Sequence, residues 1–275
     1  MPELPEVETT RRGIAPLLEG RQISQLLVRN PNLRWRVDLP ANLPGQTIER
    51  ISRRAKYLLF QLTSGTLIVH LGMSGNLRVL PAGSAYLQHD HIAWQLDNGF
   101  ELRLNDPRRF GSVHWHSGDP EEHWLLRQLG VEPLANEFNG AYLKVCARRR
   151  RVAVKNFIMD AHIVVGVGNI YANEALFLAG IRPSVRANRV PLLAYERLAS
   201  AIREVLLQAI EMGGTTLRNF VKQDGNPGYF KQSLNVYGRQ DQPCRRCDRP
   251  LTGIRIGQRA TVYCRNCQRA QGFGR

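Results

Sequence analysis

Between residues 21 and 130 the hydrophobic positions fall in short runs. RQISQLLVR, QTIERISRR, KYLLFQLTSGTLIVHLG, HIAWQLDNGFELRLND and GSVHWHS are rich in β-branched and aromatic residues. Turn signals, TSG at 63–65 and DNG at 97–99, split two of these runs, which predicts hairpins. Many short strands without intervening helices predict an antiparallel sandwich or barrel. From about residue 131 the period lengthens. VEPLANEFNGAYLKVCARRRRVAVKNFIMD (131–160) carries helical spacing, with VEPL as a linker. Leu192, Leu198, Ile202, Val205, Leu206 and Ile210 recur every three to four positions before Gly213-Gly214. At the N-terminus, Pro5, Glu6 and Glu8 suit a helix start and Gly20 a stop. That start does not require Pro2 or Glu3. The expected fold class is α+β multidomain: an N-terminal β-sandwich domain with a helix (1–131), a helical domain (132–234) and a small cysteine-bearing module (235–275).

Charge narrows the function. The 275 residues hold 38 Lys+Arg against 23 Asp+Glu, a formal net charge of +15. Such a surplus points to a polyanionic partner, nucleic acid or an anionic membrane face. No window holds 18 consecutive apolar residues, and no basic segment followed by an apolar core opens the chain. The expectation is a soluble intracellular protein that touches DNA or RNA.

The cysteines sharpen this. Cys244, Cys247, Cys264 and Cys267 form two C-x2-C knuckles, and Cys146 stands alone without an assigned role. Four thiolates in that pattern can converge on one tetrahedral Zn²⁺; paired disulfides are the competing reading, and nothing suggests an oxidising compartment. With no open coordination position, the metal would be structural. Residues 235–275 carry nine Arg, no Lys, no Glu and two Asp, so nine minus two leaves +7. GQRATVYC would be the module's hairpin, with Gln258 and Arg259 near its tip.

Other motifs carry competing readings. Arg148–Arg151 is either a solvated charge run or a phosphate contact, and Lys155 continues it. VVGVGNIYANE (164–174) lacks the remaining glycines of a dinucleotide loop but could present backbone N–H groups to one phosphate, with Asn169 as N-cap or donor. HLGMSG (70–75) and NDPRRFG (105–111) place Met73 and Phe110 among polar and basic neighbours. They are either core residues or side chains that fill and wedge a duplex from which a base has been flipped. Lys56, in RRAKYLLF, opens a strand and could be an ordinary edge lysine.

Taken together, MPELPEVE, RRAKYLLF, HLGMSG, DPRRFG, VVGVGNIYANE, GGTTLRNF, DGNPGYF, VYGR and CRRC…QRATVYCRNC span the chain and resemble the formamidopyrimidine-DNA glycosylase family. The resemblance implies a β-sandwich, a helix–two-turn–helix domain containing Asn169, and a zinc finger with one structural Zn²⁺, with DNA in the cleft between them. It implies excision of 8-oxoguanine and formamidopyrimidines and nicking at abasic sites, by a cytoplasmic bacterial monomer associated with the nucleoid when acting. By position it makes Pro2 the nucleophile, Glu3 its acid/base partner, Lys56 a proton donor and Arg259 the finger residue of the last elimination. Met73, Arg108 and Phe110 match residues that enter the duplex. His89, Arg108 and one of Arg149 and Arg150 match phosphate contacts, and Lys155 a lysine near the lesion pocket. Thr215, Thr216 and Tyr237 match the lesion-side loop. Arginines stand at 148–151 where relatives often have lysine, and the tail after Cys267 has no assigned function. Two alternatives stand: the endonuclease VIII-like sister family, which acts on oxidised pyrimidines, and a non-catalytic zinc-finger regulator.

Overall fold

The computed structural model describes residues 2–213 and 234–270. Thr215 and Thr216 lie outside the described residues. Two compact units emerge: residues 2–127 with 210–213, and residues 128–209 with 234–270.

The first unit opens with α1 (Leu4–Leu18), followed by β1 (Ile23–Val28), β2 (Ile48–Arg54), β3 (Tyr57–Leu62), β4 (Gly65–His70), β5 (Asn76–Pro81), β6 (Asp90–Leu96), β7 (Phe100–Asn105) and β8 (Ser112–His116). They form two four-stranded sheets, ordered β1-β6-β7-β5 and β2-β3-β4-β8, with every neighbouring pair antiparallel. Both expected hairpins are present: Leu62 pairs with Gly65 across TSG, and β6 pairs with β7 across DNG. Gly99 has φ +79°, the left-handed conformation such a turn requires. One core joins the sheets. Phe60, Leu67, Val69 and Val113 of one face Leu77, Ile92, Trp94 and Leu104 of the other, with Val7, Ile14 and Leu18 of α1.

Glu3 corrects the reading of the helix start. It is the N-cap of α1: Glu6 Oε2 accepts the Glu3 backbone N–H at 2.8 Å, one half of a capping box. Gly20, at φ +78°, follows the last turn as expected.

The second unit contains α2 (Gly140–Ala147), α3 (Val154–Ile158), α4 (Asn169–Leu178), α5 (Leu192–Gly213, whose last four residues belong to the first unit), and the hairpin β9 (Thr252–Ile256) and β10 (Arg259–Tyr263). The helical spacing over 131–160 is realised as two short helices. Residues 150–153 leave helical geometry where the backbone over 150–154 pairs with 185–188: Asn188 N–H donates to Arg150 O, Ala187 N–H to Val152 O, and Val154 N–H, at the start of α3, to Val185 O. Val131, in the expected linker, is itself pinned, bridging Val164. The hairpin module has little core of its own. Val236, Cys244, Leu251, Val262 and Cys264 pack on Phe177 of α4.

Candidate DNA-facing site and metal centre

In the sandwich unit the candidate residues gather at one end. Arg54 pairs with Tyr57, so Ala55 and Lys56 are the two-residue turn between β2 and β3; Lys56 sits in this turn and does not open a strand. Tyr57 pairs with His70 and His70 with Ser112, which brings the HLGMSG loop and the end of DPRRFG to that same edge. In the other sheet Asn76, Asn105 and Asp90 align, which sets His89 beside Asn105. Helix α1 runs toward this end too. Glu19 accepts the Ile51 N–H, Arg11 donates to Ile51 O, and Glu8 meets Arg53 at 3.4 Å. The Glu8–Arg53 pair sets the N-terminal half of α1 against the end of β2 that leads into the Lys56 turn. Pro2 and Glu3 are both buried.

Met73 is 38% exposed and Phe110 43%, large for apolar side chains. The Arg108 guanidinium lies over the Phe110 ring, 4.8 Å from its centroid. The two loops interlock at Gly72, where a Cβ would collide with the Phe110 and Gly111 backbone.

His70 is a member of this end that the sequence motifs did not single out. Burial depresses its pKa to about 4, and the positive charges of Lys56 and Arg34 push the same way. The ring is therefore neutral at pH 7, and its Nδ1 accepts the Gly72 N–H at 3.0 Å. Only its neighbours in the fold mark it.

In the second unit Arg149, Arg150 and Arg259 are exposed. Gly257 and Gln258, both at positive φ, make the hairpin turn, and Arg259 is the first residue of β10. Lys155 is placed otherwise than a surface contact. It is fully buried, and its Nζ donates to Ala260 O at 3.0 Å and Thr261 Oγ1 at 2.6 Å, bracing the strand that begins with Arg259. Asn169 is the first residue of α4, and Gly168 is the N-cap, so the capping half of its expected role is corrected. Among the described residues the buried Asn169 Oδ1 has no hydrogen-bond partner. Tyr237 is half-buried. Its N–H, with those of Asn235 and Val236, donates to the buried Glu174 carboxylate at 2.7–2.9 Å. Glu174 closes the VVGVGNIYANE motif, and the sequence assigned it no role.

The four cysteine sulfurs all lie within 4.8 Å of one another. Cys244–Cys267 is 3.9 Å and Cys247–Cys264 3.5 Å, against about 3.8 Å for a tetrahedron of 2.3 Å Zn–S bonds. Backbone N–H groups of Arg246 and Cys267 point at Cys244 and Cys264 sulfurs at 3.4 Å, the arrangement that stabilises thiolates. The residues fit one zinc ion with no ligand position left for chemistry. No helix among the described residues is long and apolar enough to cross a membrane.

A sandwich, a glycine-led helix and a basic four-cysteine hairpin together define a multidomain zinc-finger protein with a cationic surface suited to nucleic acid. Three family models cover the chain: the formamidopyrimidine-DNA glycosylase N-terminal domain over 1–113, its H2TH domain over 129–221, and a zinc finger found in FPG and IleRS over 241–270. The formamidopyrimidine-DNA glycosylases of Alkalilimnicola ehrlichii and Marinobacter nauticus are 59% and 57% identical, each over 98% of this chain and all of the relative. The Lactococcus lactis enzyme bound to abasic-site DNA superposes with TM-score 0.86 at 31% identity, covering 97% of this chain and 99% of that one. The Thermus thermophilus protein gives 0.82 at 37%, covering 97% and 98%. The chain belongs to the formamidopyrimidine-DNA glycosylase family.

Proposed function

We propose that this enzyme excises oxidised purines, 8-oxoguanine and formamidopyrimidines, from duplex DNA and then nicks the strand by β,δ-elimination. What supports this reading is that strand pairing brings the Lys56 turn, the Met73 loop and the end of DPRRFG to one edge of a sheet, in a chain 59% identical to a formamidopyrimidine-DNA glycosylase. We assign Pro2, once Met1 is removed, as the amine that attacks sugar C1′. A secondary amine yields an iminium that stays cationic without an added proton. That charge acidifies the C2′ proton, so the 3′ phosphate leaves by β-elimination and the 5′ phosphate by δ-elimination. An α-amine ordinarily titrates at about 7.7–8.0, so a free-base fraction is available near neutral pH. Glu3 protonates the ring oxygen as it opens, and Lys56 donates a proton in strand cleavage. Arg259 is assigned to the last elimination. Lys155 supports that role from below by holding the start of β10. Met73, Arg108 and Phe110 fill and wedge the duplex, and His89, Arg149, Arg150 and Asn169 contact phosphate. Zinc, when bound by its four cysteines, supplies folding energy and no reaction step.

We place the enzyme in the bacterial cytoplasm, as a monomer on duplex DNA holding oxidised purines or abasic sites. Borohydride should trap a covalent protein–DNA adduct with an 8-oxoguanine:C duplex, and faster turnover there than on a thymine-glycol duplex is expected. Pro2→Gly should keep weak lyase chemistry through its primary amine but process lesions poorly. Absence of any adduct, or undiminished excision by Pro2→Gly, would defeat the assignment.

A further inference from the structure

We infer that Asp106 is a positioning residue that holds the Met73 and Phe110 loops in register for base extrusion; this rests on the reading above. Asp106 is fully buried at 0% exposure, directly beneath the two loops. Its Oδ1 accepts the Ser74 hydroxyl at 2.6 Å, and its Oδ2 accepts the Gly111 N–H at 2.7 Å. One carboxylate thus ties the residue after Met73 to the residue after Phe110. The Ser74 oxygen in turn accepts the Arg108 N–H at 3.2 Å. The main chain of Asp106 extends the same brace: its N–H donates to His89 O at 3.0 Å, and its carbonyl takes the Arg109 N–H at 3.2 Å and the His91 ring at 2.8 Å. His89 and Arg108 are therefore one and two hydrogen bonds from Asp106, and Met73 and Phe110 each adjoin in sequence a residue bonded to it.

The geometry leaves little slack. A Cβ at Gly111 would stand 2.9 Å from His70 O and 3.0 Å from the Asp106 carboxylate. Arg109 sits at φ +56°, a conformation that a non-glycine residue holds only when its surroundings enforce it. An ionised carboxylate accepts from both groups at once, whereas the asparagine amide must turn a donor toward one of them. Asp106→Asn therefore keeps the volume but weakens the shared anchor, since its amide can only donate to the Ser74 oxygen, which already takes the Arg108 N–H.

The test uses zinc-loaded enzyme and two duplexes, one with 8-oxoguanine opposite C and one with a preformed abasic site. Extruding an intact base costs unstacking energy that an abasic sugar largely avoids. Asp106→Asn should lower excision of 8-oxoguanine by about 100-fold, the scale of a 1 Å misplacement, with a much smaller loss of abasic-site nicking. With 2-aminopurine beside the lesion, the fluorescence rise on wedging should slow by the same factor as excision. Ser74→Ala, which removes the Asp106 link to the Met73 loop and the acceptor of the Arg108 N–H but leaves the Gly111 bond, should show the same split in weaker form and serves if Asp106→Asn does not fold. Equal losses on both duplexes, or excision unchanged in both variants, would overturn the inference. Failure of the wild-type enzyme to excise 8-oxoguanine would instead overturn the proposed function.

Discussion

At His70 the surroundings of one imidazole, which no local pattern describes, set its charge. An unfolded histidine titrates near 6.5, and in the fold this one titrates at about 4. Between those values the unfolded chain binds the extra proton, so stability present above pH 6.5 is lost as pH falls toward 4. Thermal melts across that window should show the Tm declining. His70→Gln, which keeps an acceptor for the Gly72 N–H, should decline less steeply; an identical slope would refute the assignment. Glu3 teaches the complementary lesson. The helix start was legible from Pro5 and Glu6, yet the cap proved to be Glu3, because capping depends on where the chain turns in space. Asp106 was invisible for the same reason. Its partners Ser74 and Gly111 are 32 and 5 residues away, and only strand pairing brings them together.

Strands were the most legible elements. Runs of β-branched and aromatic residues with TSG and DNG between them leave little freedom, because those turns fix which residues pair. The helical stretch over 131–160 was less so: it breaks where the backbone at 150–152 finds partners at 187–188, and long-range backbone pairing outweighs local spacing there. The zinc hairpin lies between these cases. Its ligands were plain from spacing, but its dependence on α4 was not. Since Val236, Leu251 and Val262 pack on Phe177, metal loss should loosen both the hairpin and the end of α4. Cys264→Ser should bind no zinc by atomic emission and lose DNA nicking. Hydrogen-exchange protection should fall over 244–267 and near Phe177 while β3 and β4 stay protected. Protection kept at Phe177 would contradict the shared core.

For the whole molecule the dominant quantity is a formal charge of +15. Each phosphate neutralised releases counterions, so affinity for undamaged duplex should be steeply salt-dependent. Contact with about six to ten phosphates predicts a loss of about 10³–10⁵ in affinity between 50 and 200 mM salt. Fluorescence anisotropy with an undamaged duplex reads this directly, and a flat salt response would exclude a phosphate-led interface. Replacing Arg149 or Arg150 by Gln should shallow the slope by about one contact without altering the Tm.

The motifs along the sequence identified the family by resemblance, while residue type and short spacing, which local physics reads directly, determined the two sheets' hairpins, the four zinc ligands and the charge that calls for nucleic acid. Only the tertiary structure decided that Lys56 lies in a turn, that Lys155 is turned inward to hold the start of β10, that His70 is neutral, and that Asp106 stands beneath Met73 and Phe110. Burial, desolvation and hydrogen bonds between distant residues depend on which strands meet, and that is settled when the whole core packs.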